Sequence, residues 1–302
     1  MKTISSLPDR ARGCFLGLAA GNSLGLPTEL LGTPEAIRTR FPQGVTEIIR
    51  EDIPGSPYDA HLALALIQAE ELLEPEVDLQ RLATKWVQWR QRDGRGIDQW
   101  TRTALDHIAN HHSPPAETGG AAGNGSLPRT VPVALATLNS PANLVSGSYH
   151  LAYLLHPDPR CAWGAVAVNV AIAWFLQGEQ DFLPEVLQAL TTNAAPPELV
   201  AAVRRVPLEK REALPIVGES AGYVVHCVEI ALWCAYHEHK LERGLIWLAN
   251  AGGDTDSNAA VAGALMGARD GEAAIPQRWL NEIVGIDRVR QLADQLVGSP
   301  GR

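Results

Sequence analysis

The sequence has no run of basic residues and no apolar stretch long enough to span a membrane. Lys and Arg number 25 against 34 Asp and Glu, a net charge of −9, and this balance argues against nucleic acid as a partner. The longest apolar stretch, Cys161 to Leu176, contains Asn169 and is shorter than the roughly 20 residues of a transmembrane helix. We therefore expect a buried helix there and no membrane partner.

The sequence also lacks paired cysteines. Its four cysteines never occur as Cys-x-x-Cys and lie within apolar helical patterns, which is typical of small core residues in a reducing compartment. The chain does not open with a cationic segment followed by an apolar one, so no secretory signal is predicted. These features predict a cytoplasmic protein.

The sequence shows no convincing alternation of apolar and polar residues, the pattern of β-strands, whereas apolar residues recur at helical spacing along most of the chain. Segments rich in Pro and Gly separate these helical stretches. The pattern predicts an all-α, bundle-like fold. The stretches are Cys14 to Leu24, Leu62 to Leu73, Leu79 to Trp89, Cys161 to Leu176, Val224 to Tyr236, Leu245 to Ala249 and Ala259 to Met266.

The most informative segment is Gly252 to Asn258, which reads GGDTDSN. Two carboxylates two residues apart, followed by a hydroxyl and preceded by flexible glycines, can turn several oxygens toward one point. Such oxygens suit a hard cation such as Mg²⁺. The alternative is that Asp254 and Asp256 only cap the helix that begins here.

Extended to GGDTDSNAAVAGALMGA, this segment resembles the signature of the ADP-ribosylglycohydrolase family. Four further segments are similar to family motifs in the family's order: Arg10 to Glu29, Glu117 to Arg129, Leu154 to Arg160 and Ser220 to Trp233. Length alone, at ~150 residues per domain, suggests two domains. Because the resembling segments would build one site, we predict a single domain over residues 1–302.

The resemblance implies a role for each of several acidic residues. Asp59, Asp254, Asp256 and Ser257 would be ligands of one or two Mg²⁺ ions. Glu29 and Asp59 would transfer protons while the bond between the ribose of ADP-ribose and an acceptor residue is hydrolysed. The implied partner is ADP-ribose or an ADP-ribosylated protein.

The resemblance also implies a loop that holds the diphosphate. Gly123, Asn124, Gly125 and Ser126 would present backbone N–H groups and a helix N-terminus to it. His156 would contact the ribose or a phosphate of the same ligand. Without the resemblance, a glycine-rich loop usually binds no ligand, and a histidine at a helix start usually makes only local hydrogen bonds.

One departure from the family pattern affects the metal ligands. The family places Thr or Ser and two aspartates at the start of its second long helix, where this chain has Pro57, Tyr58 and Asp59. Proline and a neutral phenol are poor ligands, whereas two ions roughly 3.5–4 Å apart need several anionic oxygens. Asp59 is equally explained as part of a capping box that starts at Ser56. Three functions stay open: a Mg²⁺-dependent hydrolase, a catalytically inactive ADP-ribose-binding protein, and a scaffold that retains only the fold.

Small residues recur every fourth position in two helical segments. Helix-interior glycines cost about 0.5–1 kcal/mol each relative to alanine, so a close neighbour is expected. If the two series face one another, the opening helix packs against the helix that starts at Asp254, and Glu29 lies near the metal ligands. Tight packing without any ligand is the alternative. The series are Gly13, Gly17, Gly21 and Gly25, and Ala259, Gly263, Gly267 and Gly271.

Overall fold

Helices account for almost all regular structure in the computed structural model, which describes residues 5–49, 60–116, 122–218 and 221–298. Within these ranges there are fifteen α-helices, three short 3₁₀ helices and no β-strand. The predicted all-α fold is therefore confirmed. The helices are α1 Leu7–Gly25, α2 Pro34–Arg40, α3 Ala60–Leu72, α4 Leu79–Arg92, α5 Gln99–His111, α6 Ser126–Ala136, α7 Pro141–Tyr153, α8 Pro159–Leu176, α9 Leu183–Thr192, α10 Pro197–Arg205, α11 Val224–His237, α12 Leu241–Ala249, α13 Thr255–Asp270, α14 Gln277–Leu280 and α15 Ile286–Gly298.

Several helices begin at an aspartate whose side chain accepts hydrogen bonds from backbone N–H groups of the first turn. Asp78, Asp98, Asp158 and Asp254 have this role at α4, α5, α8 and α13. The carboxylate satisfies N–H groups that have no partner within the helix, and its charge opposes the helix dipole favourably. Asp98 and Asp254 recur in the site described below.

Helices α1 and α13 cross with their backbones in contact. A Cβ atom placed on Gly17 would lie 2.1 Å from the carbonyl oxygen of Gly263, and one on Gly21 would lie 2.0 Å from that of Ala259. Only glycine tolerates such an approach. The prediction that the two series of small residues face one another is confirmed.

The same crossing brings the end of α1 to the start of α13. The Thr255 hydroxyl donates to the carbonyl oxygen of Gly25 at 2.8 Å. Glu29 lies in the 3₁₀ helix Leu26–Leu31 that follows directly. Backbone contact between α1 and α13 therefore places Glu29 beside the N-terminus of α13.

Helix α8 is the helix within the described ranges that is long and apolar enough to cross a membrane. Of its length, 72% is buried inside the protein, and it packs against α6, α7, α9, α11 and α13. The expectation of a buried core helix is confirmed. All four cysteines are buried and unpaired, as core residues should be.

Candidate active site

The N-terminus of α13 is built by two glycines that no other residue could replace easily. Gly252 and Gly253 have positive φ angles of 81° and 68°, and a Cβ on Gly253 would lie 1.9 Å from the carbonyl oxygen of Ile216. The turn leads into Asp254, the N-cap residue, whose Oδ1 accepts from the Ser257 N–H at 3.3 Å. Asp254 therefore caps α13, and its Oδ2 stays available for a second contact.

Asp256 is a buried carboxylate in the first turn of α13, with 3% of its surface exposed. Burial raises the pKa of Asp256 well above its ordinary value, and the charges of Asp254 and Glu29 raise it further, while a hydrogen bond with His61 opposes the shift. Its Oδ1 has no hydrogen-bond partner among the described residues. A buried acid among other acids requires either a proton or a cation.

His61, in the first turn of α3, faces the same acidic turn. Its Nε2 lies 2.9 Å from Ser257 Oγ and 3.4 Å from Asp256 Oδ2, and the residue is 6% exposed. Sequence analysis did not identify His61 as a site residue. The available signal was a single polar residue at the start of the otherwise apolar segment Ala60 to Leu66.

The glycine-rich loop joins the acidic turn through Asn124. The Asn124 side-chain amide donates to Asp254 Oδ2 at 2.9 Å, and its backbone N–H donates to the carbonyl oxygen of Gly222 at 3.0 Å. That N–H is therefore engaged within the protein, and Asn124 reaches the acids through its side chain. Gly125 is the N-cap of α6, and Ser126 is the first residue of that helix.

Behind the loop, a buried arginine holds His156. The fully buried Arg129 donates to the carbonyl oxygens of Gly125 at 2.8 Å and Ala152 at 3.0 Å, and its Nη2 lies 3.0 Å from His156 Nδ1. Because a guanidinium group only donates, Nδ1 must accept, and the imidazole proton resides on Nε2. Burial and the Arg129 charge lower the pKa of His156 to about 3, so the ring is neutral.

The Nε2–H of His156 points to the loop and to Asp98. It has no hydrogen-bond partner among the described residues, lies 4.0 Å from Asp98 Oδ1 and would lie 3.5 Å from a Cβ on Gly123. Although burial opposes it, the hydrogen bonds with Thr101 lower the pKa of Asp98. A donor and an anionic acceptor therefore lie side by side next to the glycine loop.

The structure thus brings together most of the predicted site residues. Glu29, Asp254, Asp256 and Ser257 lie at one helix terminus, and Asn124 links them to the loop residues Gly123, Gly125 and Ser126, with His156 behind. Asp59, Pro57 and Tyr58 lie outside the described residues, as does the segment 117–121 at the start of the loop. His61, Asp98 and the internal role of Arg129 were not predicted.

The oxygen donors of the acidic turn are of the type that binds a divalent ion, although the described residues alone do not complete a metal site. In the ranges that the structure describes, no group of three or more His, Cys, Asp or Glu side chains is arranged to hold a metal. The donors present are the carboxylates of Asp254 and Asp256 and the hydroxyl of Ser257, and the buried Asp256 Oδ1 lacks any partner there. One ion would satisfy that oxygen, whereas a pair would need further anionic ligands.

Comparison with known proteins gives a consistent family. The family model described as ADP-ribosylglycohydrolase matches residues 3–302. The ADP-ribosyl-[dinitrogen reductase] glycohydrolase of Rhodospirillum rubrum is 28% identical over 308 residues, which cover 98% of each chain. An ADP-ribosylarginine hydrolase of Serratia proteamaculans is 25% identical, over 95% of this chain and 79% of that protein. A solved structure described as an ADP-ribosylglycohydrolase-related protein complex superimposes with a TM-score of 0.80 at 28% identity, over 97% of this chain and 98% of that one.

Proposed function

Since this chain belongs to the ADP-ribosylglycohydrolase family, we propose that it binds the ADP-ribosyl group of a modified protein between the glycine loop and the acidic turn. The hydrogen bond from Asn124 to Asp254, at 2.9 Å, carries this proposal. It makes the loop and the acids two walls of one site. Two relatives are named for action on ADP-ribosylarginine and on ADP-ribosylated dinitrogen reductase, which supports the same type of ligand here.

Each wall of the site suits a different part of the ligand. The N-terminus of α6, which begins at Ser126, favours the diphosphate through its dipole. The Nε2–H of His156 can donate to a ribose or phosphate oxygen. At the other wall, Asp254 and Asp256 can accept from ribose hydroxyls, so the ribose attached to the acceptor would lie at α13.

Hydrolysis of the bond to the acceptor residue is the second candidate function. The relatives named as hydrolases align over almost the whole chain, and Glu29 lies close enough to Asp256 to raise its pKa. Glu29 and Asp59 would transfer the protons, as paired carboxylates do in other glycoside cleavages. A Mg²⁺ ion held by Asp254, Asp256 and Ser257 would polarise ribose oxygens. Pro57 and Tyr58 replace two expected ligands, which is why binding comes first in our proposal.

Calorimetric titration with ADP-ribose tests the binding proposal. We expect saturable heat with the wild-type protein and weaker binding by Asn124→Ala, because the loop loses its hydrogen bond to Asp254 and is held less firmly beside the acids. Asn193→Ala is the matched control, since Asn193 is exposed at the end of α9 and its side-chain amide donates to the carbonyl oxygen of Ala189 in the same helix. The absence of heat from wild-type protein, with and without Mg²⁺, would refute the proposal.

A release assay separates the remaining classes. A hydrolase releases ADP-ribose from an ADP-ribosylated arginine peptide in the presence of Mg²⁺, and Asp256→Ala abolishes the release. A binding protein gives heat without release, and Pro57→Thr combined with Tyr58→Asp restores turnover by returning the missing ligands. A scaffold shows neither heat nor release, and its melting temperature responds to neither ADP-ribose nor Mg²⁺.

A further inference from the structure

Leu208 projects into solvent from the turn between α10 and α11. It is 84% exposed, the largest fraction among the large apolar side chains of the described ranges. The turn itself is held by the helix behind it, because His237 Nε2 donates to the carbonyl oxygen of Val206 and Trp233 Nε1 to that of Glu209, both at 2.8 Å. Leu208 therefore adds little to the core, although the backbone on either side of it is fixed.

The turn around Leu208 is basic, whereas the whole chain is acidic. Residues 204–211 contain four Lys or Arg and one Glu. Arg204 and Lys210 are exposed and form no ion pair within the described ranges. Arg211 borders the same turn, with its Cζ 4.6 Å from the ring centre of Trp247. We call Leu208, together with Arg204, Lys210 and Arg211, the apolar knob.

A cavity of about 790 Å³ between the start of α12 and the segment 272–280 has the complementary character. Buried apolar side chains form part of its wall, and three carboxylates line it together with one guanidinium group. An apolar side chain with basic neighbours therefore matches this cavity both in polarity and in charge. The apolar residues are Ile275 and Leu280, the acids are Asp9, Glu242 and Glu272, and the guanidinium is that of Arg278.

Helix α12 connects the apolar knob to the cavity. Glu242, near the start of this helix, lines the cavity. Trp247, five residues later in the same helix, packs against Arg211 of the apolar knob. Because both features border one short helix, a single two-fold rotation can place the knob of each copy in the cavity of the other, and the contact is then made twice.

We propose that two copies of this chain form a two-fold dimer in which Leu208 of each copy occupies the cavity of the other, with Arg204 and Lys210 beside its carboxylates. Membrane insertion is the other use of an exposed leucine next to cations. However, one leucine is far smaller than a myristoyl chain, which by itself gives only marginal membrane binding. The inference goes beyond the proposed function, since none of these residues belongs to the candidate active site.

Sedimentation equilibrium at about 1 to 100 µM protein tests the dimer. We expect the wild-type chain to dimerise in this range, and added salt to weaken the dimer because its charged contacts are exposed. Leu208→Asp should weaken dimerisation at least about tenfold, since the burial of the leucine is lost and a carboxylate meets an acidic cavity. Leu79→Asp is the matched control, because Leu79 is a 41% exposed leucine on α4, and it should leave dimerisation unchanged.

A second variant changes the cavity instead of the apolar knob. Ala273 is exposed and lines the cavity, so Ala273→Lys fills it with a long cation and should also weaken dimerisation at least about tenfold. An equimolar mixture of Leu208→Asp and Ala273→Lys should associate more tightly than either variant alone, because the intact knob of one fits the intact cavity of the other.

Four outcomes would overturn the inference. They are a wild-type chain that stays monomeric throughout the concentration range, a dimer unaffected by Leu208→Asp, equal weakening by Leu79→Asp, and two variants that do not associate better when mixed. Circular dichroism checks the folding of each variant, and the wild-type measurement stands without them. ADP-ribose binding by a monomeric wild-type chain would refute only this inference and leave the proposed function intact.

Discussion

Substitution of Gly17 by alanine tests the backbone contact between α1 and α13 that positions the site. The new Cβ would lie 2.1 Å from the Gly263 carbonyl oxygen, whereas ordinary contact begins near 3.4 Å. The two helices must therefore separate locally by about 1.3 Å, and no flexible side chain can absorb the shift. Overpacking of this type typically costs 1–3 kcal/mol, and the rigid backbone contact puts the cost at about 3 kcal/mol.

Part of this cost is offset because alanine is the better helix former by about 0.5–1 kcal/mol. The free energy of unfolding should therefore fall by about 2 kcal/mol. With an unfolding entropy of about 2.1 cal/mol/K per residue over 302 residues, the melting temperature should fall by about 3 °C. Urea denaturation and thermal melting, both followed by circular dichroism, measure the two quantities.

Gly298→Ala is the control for this experiment. Gly298 is the last residue of α15, and a Cβ there meets no atom within 4 Å. Gly298→Ala should leave the free energy of unfolding unchanged or raise it by up to about 0.5–1 kcal/mol. If Gly17→Ala proved as stable as Gly298→Ala, the close crossing of α1 and α13 would be wrong.

Three further predictions concern the crossing of α1 and α13 and the buried residues Arg129 and His156. Gly25→Ala places a Cβ 2.4 Å from the Thr255 carbonyl oxygen and should weaken ADP-ribose binding in calorimetry. Gly13→Ala makes the same 2.4 Å contact with α13 at the far end of the crossing, so it should lower stability but leave binding unchanged. Equal binding by the two variants would contradict this. Arg129→Met removes the guanidinium donor from the Gly125 and Ala152 carbonyl oxygens and from His156 Nδ1, although Ala152 keeps the bond from the His156 backbone N–H. It should lower the free energy of unfolding by about 1–3 kcal/mol in urea denaturation, and an unchanged free energy would refute this. The folded protein keeps His156 neutral down to about pH 3, whereas the unfolded chain protonates this side chain below about pH 6.5. The free energy of unfolding should therefore fall by up to about 1.4 kcal/mol per pH unit as the pH drops through this window. His156→Gln should reduce the difference between the urea midpoints at pH 7 and pH 4.5.

Sequence patterns predicted those parts of the fold in which apolar or small residues recur at a short, regular spacing. The four-residue spacing of glycines predicted the contact between α1 and α13, and the apolar stretches predicted α3, α8, α11 and α13. Helices α5, α7, α9, α10 and α15 were not singled out. All five bury only three or four apolar side chains each, so they carry a weaker apolar signal than helices such as α8 and α13.

The candidate site was predictable only where a motif is continuous in sequence. Asp254 to Ser257 and Gly123 to Ser126 are such segments, and the structure joins them through Asn124. His61 and Asp98 escaped prediction because their roles depend on neighbours that are distant in sequence, such as Ser257 for His61 and His156 for Asp98. The role of Arg129 likewise arises only when acceptors from the N-cap of α6, from α7 and from the segment between α7 and α8 converge on one buried guanidinium.

A crystal structure of the protein with ADP-ribose tests the central claim most directly, namely that the glycine loop and the acidic turn form one site for this group. We predict the diphosphate at the N-terminus of α6, a ribose or phosphate oxygen within hydrogen-bond distance of His156 Nε2, and the other ribose beside Asp254 and Asp256. A nucleotide bound elsewhere, with the hydrogen bond between Asn124 and Asp254 undisturbed and no ligand atom near either residue, would contradict the account.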